Sequence, residues 1–267
     1  MRAIIISVSS DIGSALASRW LARGWTVWGT YLTFNPSLRS LREQGARLIK
    51  CDLSHDISIH DTSIYTVCKD LRRASPWDVL VLLSGAQDPI GPFEEIRFGS
   101  WRGSLEVNFI GPMEVINKML PTRGANPTVV MFSGGGTNSA PPNYSAYTVS
   151  KIALIKMAEL LDAELPDVKF TVLGPGWVRT KIHDQTLRAG SRAGPNFATT
   201  QEMLDQQERW TPMERVLDCI DWVIQAPRAV VGGRNISVAH DPWDTPDFAW
   251  ASSFPDLLKL RRRTPWS

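Results

Sequence analysis

Tyr147 and Lys151 are the residues of this sequence whose types and spacing point most directly to catalysis. They stand four apart in YTVSK, at the start of a segment that predicts a helix as far as Pro166, so their side chains share one helix face. An unperturbed phenol titrates near ~10, and a neighbouring ammonium group favours the phenolate. The pair therefore predicts a general acid and base whose tyrosine pKa is brought toward neutrality. The alternative is a tyrosine and a lysine on a solvated helix face, and the surrounding elements decide between the two.

Short apolar runs alternate with helix-length amphipathic stretches along the chain, and these elements must position the pair. A first helix is predicted from about Ser14 to Arg23, where Gly24 ends it. Apolar strands with helices between them favour parallel strands buried on both faces. Right-handed crossovers then give an α/β fold, a doubly wound Rossmann-like parallel sheet with helices on both faces, in a single domain. The predicted strands are 3–8, 26–32, 47–53, 78–85, 128–134, 169–176 and 235–239.

The composition excludes several classes of function. The 267 residues carry 29 basic against 27 acidic side chains, a net charge of +2, which predicts no nucleic-acid or membrane partner. No apolar run has the length of a signal peptide core or of a membrane span. An odd number of cysteines without CxxC pairing predicts a reducing, cytoplasmic compartment, and the histidine spacing predicts no metal site. These residues are Cys51, Cys68, Cys219, His55, His60, His183 and His240.

The first predicted strand is followed by the loop SVSSDIGSA (7–15), which opens a helix. A dinucleotide diphosphate favours this place, because helix N-terminal amides point at it and the helix dipole favours its charge. Gly13 is the single glycine where such loops usually carry several, so a plain strand-to-helix turn is the alternative. Asp11 can cap the helix or adopt a left-handed conformation, and its carboxylate has to turn away from the phosphates.

In this order and at this spacing, the motifs resemble those of the short-chain dehydrogenase/reductase family, in its compact single-domain form, over nearly the full chain. The resemblance implies that NAD(H) or NADP(H) binds and that a hydride passes between the nicotinamide and a carbonyl or alcohol carbon. The matching positions are Ile6–Gly13 for the glycine-rich loop TGxxxGxG, Asp52 for the acid that contacts adenine, Leu82–Gly85 for NNAG, Asn108 for the active-site asparagine, Tyr147 and Lys151 for YxxxK, and 175–180 for the PG loop.

The same resemblance implies a role for each catalytic residue. Tyr147 supplies or removes the hydroxyl proton, Lys151 holds the nicotinamide ribose and lowers the tyrosine pKa, and Asn108 anchors a water in the proton relay. With the predicted strand ends, it assigns the cofactor contacts to Ser7, Ser9, Asp11, Ile12, Gly13, Tyr31, Asp52, Leu53, Ser84, Gly85, Ala86, Asn108, Tyr147, Lys151, Pro175, Gly176, Val178 and Thr180.

The departures from the family pattern bear on activity. Ser7 and Asp11 stand where the first two loop glycines are expected, and LLSG replaces NNAG. The family's catalytic serine, thirteen residues before the tyrosine, falls on Gly134. A hydroxyl is needed there to hold the substrate oxygen, and we expect Ser133 to supply it. The alternatives are Thr137 or Ser139 from the same loop, or no serine at all, with activity weak or lost.

The cofactor prediction rests on the end of the second strand. Members that prefer NAD place an acid there for the ribose 2′-hydroxyl, and that position is Tyr31, with no acid before Glu43. Arg39 is eight residues further on. We therefore predict that NADP(H) is preferred over NAD(H).

The substrate is predicted only as a small-molecule carbonyl or alcohol. Residues 181–212 occupy the place of the family's substrate lid and carry balanced charge, which favours neither an anionic nor a neutral substrate. Trp177, Phe197 and Trp210 either line a pocket there or pack in the core.

Two other functions compete with this oxidoreductase prediction. A non-catalytic or weakly active cofactor-binding regulatory protein of the same fold is suggested by Gly134 and the glycine-poor loop. A sugar epimerase or dehydratase is disfavoured, because 267 residues leave little room for the longer C-terminal domain of such relatives.

The tryptophans single out the C-terminal segment. Residues 1–238 are predicted to form the cofactor-binding domain, including the lid at about 181–212, and residues 239–267 an aromatic extension. So many aromatic side chains would be costly to leave in water, so we expect this extension to pack on the same domain or on a neighbouring subunit. The family's habit predicts a homodimer or homotetramer that pairs the Asn108 and Tyr147 helices. The aromatic residues of the extension are Trp243, Phe248, Trp250, Phe254 and Trp266.

Overall fold

Seven parallel strands form one sheet in the computed structural model, which describes residues 1–54 and 64–262. The strand order β3-β2-β1-β4-β5-β6-β7 reverses direction between β1 and β4, so the predicted doubly wound, Rossmann-like sheet is confirmed. His55, His60 and Trp266 lie outside the described residues. The strands are β1 (Arg2–Ile6), β2 (Thr26–Tyr31), β3 (Arg47–Lys50), β4 (Trp77–Leu82), β5 (Arg123–Phe132), β6 (Lys169–Gly174) and β7 (Asn235–Ser237).

Helices cover both faces of this sheet. One face packs with the first two helices and with the ninth and tenth, and the other with the third, fifth and sixth. The helices are α1 (Asp11–Ala22), α2 (Pro36–Glu43), α3 (Ile64–Leu71), α4 (Phe98–Leu105), α5 (Gly111–Met119), α6 (Ser145–Glu164), α7 (His183–Ala189), α8 (Pro195–Asp205), α9 (Met213–Gln225) and α10 (Arg228–Val231).

Strand β1 shows why the apolar runs are continuous rather than alternating. Ile5 is fully buried in the core with α1 and α9, while Ile4 and Ile6 are fully buried in the opposite core with α3 and α6. Successive side chains of a strand point to opposite faces, so a sheet covered on both sides needs an apolar residue at every position.

Helix α1 begins three residues earlier than its apolar pattern predicted. Ser10 has extended backbone angles, and its hydroxyl accepts a hydrogen bond of 3.1 Å from the backbone N–H of Gly13. This is the geometry of an N-cap, which satisfies one of the amides that the first helical turn leaves without a partner. The capped turn places Asp11 at the first helical position, directly after the loop that leaves β1.

The segment after β7 packs against the same chain. Trp243 and Phe248 are buried with Trp222 of α9, at ring-centroid distances of 5.8 and 5.6 Å. The backbone N–H of Asn235 in edge strand β7 donates to the Leu258 carbonyl over 2.9 Å. The described part of the C-terminal segment thus covers both helix α9 and the edge of the sheet.

Candidate active site

The strand order reverses between β1 and β4, and the carboxyl ends of β1, β4, β5 and β6 lie at the same edge of the sheet. The residues predicted to take part in catalysis lie at this edge. In open α/β sheets, ligands bind in the crevice at this point. Helix α6 starts thirteen residues after β5 and places Tyr147 and Lys151 on one face of its first two turns. The structure therefore brings the predicted pair to the predicted edge of the sheet.

Lys151 joins two strand ends. Its buried ammonium group donates to the carbonyl of Ser84, just after β4, over 3.0 Å, and to the carbonyl of Phe132, the last residue of β5, over 3.2 Å. Burial lowers the pKa of Lys151 to about 8, because a desolvated ammonium loses hydration. The lysine is thus anchored at the switch point by backbone dipoles, and no carboxylate is among its hydrogen-bond partners in the part of the chain that the structure describes.

Tyr147 is buried beside this lysine, with 7% of its surface exposed. The Lys151 ammonium lies 5.7 Å from the centre of the tyrosine ring rather than against the hydroxyl. Burial raises the pKa of Tyr147 to about 12. The sequence-based expectation of a pKa brought toward neutrality is therefore wrong for this arrangement, because desolvation of the phenolate outweighs an ammonium group that is directed at carbonyl oxygens.

Gly134 leaves the space into which the tyrosine hydroxyl reaches. A Cβ atom added at Gly134 would overlap the Tyr147 hydroxyl oxygen and would stand 2.7 Å from the ring carbon that carries it. The family's serine position is thus occupied in space by the tyrosine itself. The absence of a side chain at residue 134 is what lets the hydroxyl lie beside the backbone just after β5.

Ser133, the residue predicted to replace that serine, has other partners here. Its buried hydroxyl lies 3.0 Å from the side-chain oxygen of Asn235 and 3.3 Å from the carbonyl of Leu173. These groups belong to β7 and β6, so the Ser133 hydroxyl is directed across the sheet. The alternatives Thr137 and Ser139 lie in the turn that follows, partly buried and exposed respectively.

Asn108 forms a closed hydrogen-bond pair with the chain after β4. Its side-chain amide donates to the Ala86 carbonyl over 2.8 Å and accepts from the Ala86 backbone N–H over 2.8 Å. It also donates to the Ser104 hydroxyl over 3.1 Å, and it is fully buried. The residue stands in a π-helical turn, Glu106–Ile110, an irregularity that often marks functional sites. Asn108 therefore fixes the loop that also carries the Ser84 carbonyl.

The loop between β1 and α1 is shaped to admit a phosphate group. Ser7 adopts a positive φ of 62°, which directs the chain sharply into the helix. A Cβ added at Gly13 would stand 2.8 Å from the Ser10 hydroxyl oxygen and 2.9 Å from the Ser7 carbonyl oxygen, so only glycine fits where helix and loop touch. The first-turn amides of Asp11 and Ile12 have no intrahelical acceptor and face the crevice end of the helix. These donors fit a diphosphate.

The other predicted cofactor positions line the same edge. Tyr31 ends β2, partly buried, with its ring edge-on to Phe34 at 5.7 Å. The Asp52 carboxylate accepts hydrogen bonds of 2.9 and 2.7 Å from the backbone N–H and the hydroxyl of Ser54, which holds it in a tight turn beside buried Leu53. The remaining predicted positions at this edge are Ser9, Gly85, Pro175, Gly176, Val178 and Thr180.

Part of the predicted lid, residues 181–212, docks on the site through neutral polar groups. The Tyr144 hydroxyl lies 2.8 Å from the hydroxyl of Thr186, which donates to the Gln87 side-chain oxygen over 3.0 Å. The Gln185 side-chain oxygen accepts from the backbone N–H of Gln87 over 2.7 Å. These residues were not predicted from the sequence, because their partners lie 42 to 99 positions away along the chain and no local pattern signals such contacts.

An aromatic cluster lies where the predicted lid begins and ends. Trp177 stacks on His183 at 4.8 Å between ring centres, and Trp210 meets the same ring edge-on at 5.7 Å. The His183 ring nitrogen Nε2 is 3.0 Å from the Val178 carbonyl, and burial lowers the pKa of this histidine. Phe197 packs beside Ile90 and Tyr144. These rings pack the lid onto the body of the protein.

Within residues 1–54 and 64–262, no three His, Cys, Asp or Glu side chains stand close enough together to hold a metal ion. None of the helices in that part of the chain combines the length and the apolar character needed to cross a bilayer.

Fold and site together define a Rossmann-type α/β protein with a Tyr–Lys pair at the switch point. A sequence profile of this class, described as enoyl-(acyl carrier protein) reductase, matches residues 7–222. The chain belongs to the short-chain dehydrogenase/reductase family, as its motifs indicated.

Individual relatives agree with this membership. The chain is 29% identical over 192 residues to the 11-beta-hydroxysteroid dehydrogenase type 2 of Oryctolagus cuniculus, a match that covers 67% of this chain and 46% of that protein. The match thus spans about half the length of this relative, and the same holds for an uncharacterized oxidoreductase of Mycobacterium bovis, of which 56% is covered.

Solved structures show the same fold. A short-chain dehydrogenase/reductase from Saccharomyces cerevisiae superposes with a TM-score of 0.78 at 21% identity, covering 93% of this chain and 99% of that one. An actinorhodin polyketide ketoreductase with NADPH superposes with a TM-score of 0.74 at 22% identity, covering 89% of this chain and 95% of that one.

Proposed function

We propose that this protein is an NAD(P)-dependent oxidoreductase that interconverts a carbonyl compound and a secondary alcohol. The nicotinamide cofactor, when bound, supplies or accepts the hydride. Tyr147 gives a proton to the nascent alkoxide oxygen in reduction and takes it back in oxidation. The substrate is a small molecule, and the balanced charge of residues 181–212 favours neither an anionic nor a neutral one.

One observation carries this proposal: the buried Lys151 ammonium bridges the carbonyls of Ser84 and Phe132, directly below Tyr147 on the same helix. A lysine on a solvated helix face would have no reason to lose its hydration. Burying an ammonium group costs free energy, yet the Lys151 ammonium is buried at the crevice where the Tyr147 hydroxyl also lies. This placement therefore favours a catalytic role for Lys151 over a role in stabilising the fold.

Each group then has a definite task. The high pKa of Tyr147 keeps its proton in place at neutral pH, which suits a general acid for carbonyl reduction. Lys151 offers its third N–H to a ribose hydroxyl or to the tyrosine oxygen, and Asn108 holds the Ala86 loop that shapes the pocket. The predicted water beside Asn108 would continue the proton path.

We propose NADP(H) as the preferred cofactor. Helix α2 starts at Pro36, close behind Tyr31, and the hydroxyls of Ser14 and Ser37 lie 3.2 Å apart at its first turn. No carboxylate occurs from residue 31 to residue 42, so nothing there repels a 2′-phosphate. Arg39 lies exposed on the same helix, with its positive charge available.

We also propose a homodimer or homotetramer in the cytoplasm. Ile110, Val149 and Leu160 each leave 40% to 46% of their surface exposed on the α5 and α6 side of the molecule. Three exposed apolar side chains on the same side of the molecule favour a contact between copies of the chain. The buried, unpaired thiols of the three cysteines fit a reducing compartment.

The central test is Tyr147→Phe, assayed with NADPH against a panel of ketones and aldehydes. Loss of the hydroxyl removes the proton donor but no apolar contact, so turnover falls by about three orders of magnitude while NADPH affinity stays within about twofold. Tyr65→Phe is the matched control, since that tyrosine is 66% exposed on α3. Wild-type turnover in Tyr147→Phe would contradict the proposal.

A second candidate is a non-catalytic protein that binds the cofactor and serves regulation. Gly134 at the serine position, together with the engaged Ser133 hydroxyl, is the observation that favours it. It predicts NADPH binding with no turnover on any carbonyl or alcohol of the panel. Measurable turnover that depends on Tyr147 excludes it.

A further inference from the structure

Lys181 ties the start of the lid to the loop between β1 and α1. Its ammonium group donates to the Ser9 carbonyl over 2.7 Å, and its backbone N–H donates to the Asp11 carboxylate over 2.8 Å. The two bonded loops are 170 positions apart in the chain. Lys181 directly follows the PGWVRT segment after β6 and stays exposed, so its side chain can change partners without unfolding anything.

Asp11 creates an electrostatic problem at this place. It occupies the first position of α1, where the helix dipole and the free amides attract an anion. A carboxylate at that end competes with a diphosphate for the same positive potential and repels it. The chain has a carboxylate where the family pattern has a glycine, so something must offset its charge if a dinucleotide is to bind.

We propose that Lys181 is a positioning residue for the cofactor's diphosphate. Its backbone N–H holds the Asp11 carboxylate at the rim of the crevice, and its ammonium group turns from the Ser9 carbonyl to the diphosphate oxygens. The single positive charge of Lys181 then offsets part of the negative charge that Asp11 and the diphosphate bring together. This inference rests on the proposed function, since it requires that a dinucleotide binds at α1.

The same contact couples the cofactor to the lid. Ile182, the next residue, stands with its Cδ1 atom 3.5 Å from where a Cβ on Gly85 would lie, in ordinary contact with the loop after β4. Gln185, one turn further on, accepts hydrogen bonds from the backbone N–H groups of Gln87 and Asp88 over 2.7 and 3.1 Å. A diphosphate bound by Lys181 therefore also holds the first residues of the predicted lid, which already contact the loop after β4.

The test measures binding of ADP-ribose, which carries the diphosphate but no nicotinamide, by calorimetric titration of the full chain. Lys181→Met weakens binding by about tenfold, the loss of one charge-assisted contact to a phosphate. Lys181→Arg retains most of the affinity, because the charge is kept. Lys69→Met is the matched control, since Lys69 is an exposed lysine on α3.

A double-mutant cycle with Asp11→Asn separates this role from a purely structural tether. Removing the carboxylate in the Lys181→Met background restores most of the lost affinity, because the unbalanced negative charge is gone. The dependence of affinity on salt concentration is also shallower in Lys181→Met than in the wild type. A tether alone predicts a lower melting temperature in Lys181→Met with unchanged ADP-ribose affinity, and that result overturns the inference.

The outcome also separates this inference from the proposed function. If wild-type protein binds neither ADP-ribose nor NADPH, the proposed function fails and the inference falls with it. If wild-type protein binds ADP-ribose and Lys181→Met binds it equally well, the inference alone is wrong.

Discussion

The hydroxyl oxygen of Tyr147 occupies the space that a side chain at Gly134 would need. This relationship makes residue 134 a determinant of where the proposed proton donor lies. In the proposed reaction a carbonyl substrate approaches within hydrogen-bonding distance of that hydroxyl, so any displacement of the ring changes the rate of proton transfer.

Substituting Gly134 by alanine is therefore expected to reduce turnover by on the order of a hundredfold, because the added methyl group pushes the tyrosine hydroxyl aside. Gly135→Ala is the matched control, since a Cβ at Gly135 meets nothing within 4 Å. Steady-state rates with NADPH and melting temperatures of both variants check this. Gly134→Ser, which restores the family's residue, is expected to lose activity as well. A gain of activity in that variant would show that the tyrosine has room to move.

The direction of the reaction is expected to depend on pH. Reduction needs a protonated Tyr147, whose pKa of about 12 keeps the proton at all ordinary pH values, and a charged Lys151, whose pKa is about 8. The ammonium form is present below its pKa, so reduction is fastest below about pH 8 and declines above it. Oxidation needs the phenolate together with the same charged Lys151, so its rate rises by about tenfold per pH unit up to about pH 8 and levels off above it.

Rate profiles in both directions, with protein stability checked at each pH, test this behaviour. Lys151→Arg keeps a positive charge at every pH, so the decline of the reductive rate above about pH 8 disappears in that variant if it retains activity. A bell-shaped oxidative profile with its maximum at neutral pH would contradict the assignment of the high pKa to the working tyrosine.

Cofactor preference is expected to respond to one residue at the end of β2. Tyr31→Asp places a carboxylate where a 2′-phosphate is proposed to lie, and it provides an acceptor for a ribose 2′-hydroxyl. The ratio of NADPH to NADH affinity therefore falls by at least about tenfold. Fluorescence titration with both cofactors measures it, and Tyr31→Asn, which has the shape without the charge, is the control. An unchanged ratio in Tyr31→Asp would place the 2′-phosphate elsewhere.

The C-terminal segment is expected to depend on Arg234. Its buried guanidinium group donates to the Ala251 carbonyl over 2.8 Å and to the Phe254 carbonyl over 3.1 Å, and also to the Leu257 carbonyl. Arg234→Met leaves these carbonyls without their donor and lowers the free energy of unfolding by on the order of 3 kcal/mol. Urea unfolding measures this loss, with exposed Arg262→Met as control. Equal stability of the two variants would mean that the aromatic contacts alone hold the segment.

Much of the site follows from local sequence. YTVSK predicts a helix with Tyr147 and Lys151 on one face because helical spacing is a property of neighbouring residues, and the strand-to-helix turn at Gly13 is equally local. The apolar runs predict parallel strands for the same reason, since burial on both faces demands an apolar residue at each position. The helix cap is Ser10 rather than Asp11, the residue that was expected to be able to cap the helix.

The sequence by itself thus determined the class of fold and which residues stand near the carboxyl ends of its strands. The tertiary structure alone decided how those residues are solvated and paired. Burial raises the tyrosine pKa where its neighbour on the helix suggested a fall, and Ser133 finds its partner in Asn235, 102 positions away. Desolvation and long-range hydrogen bonds depend on which segments pack together, and no local pattern of residue types encodes that.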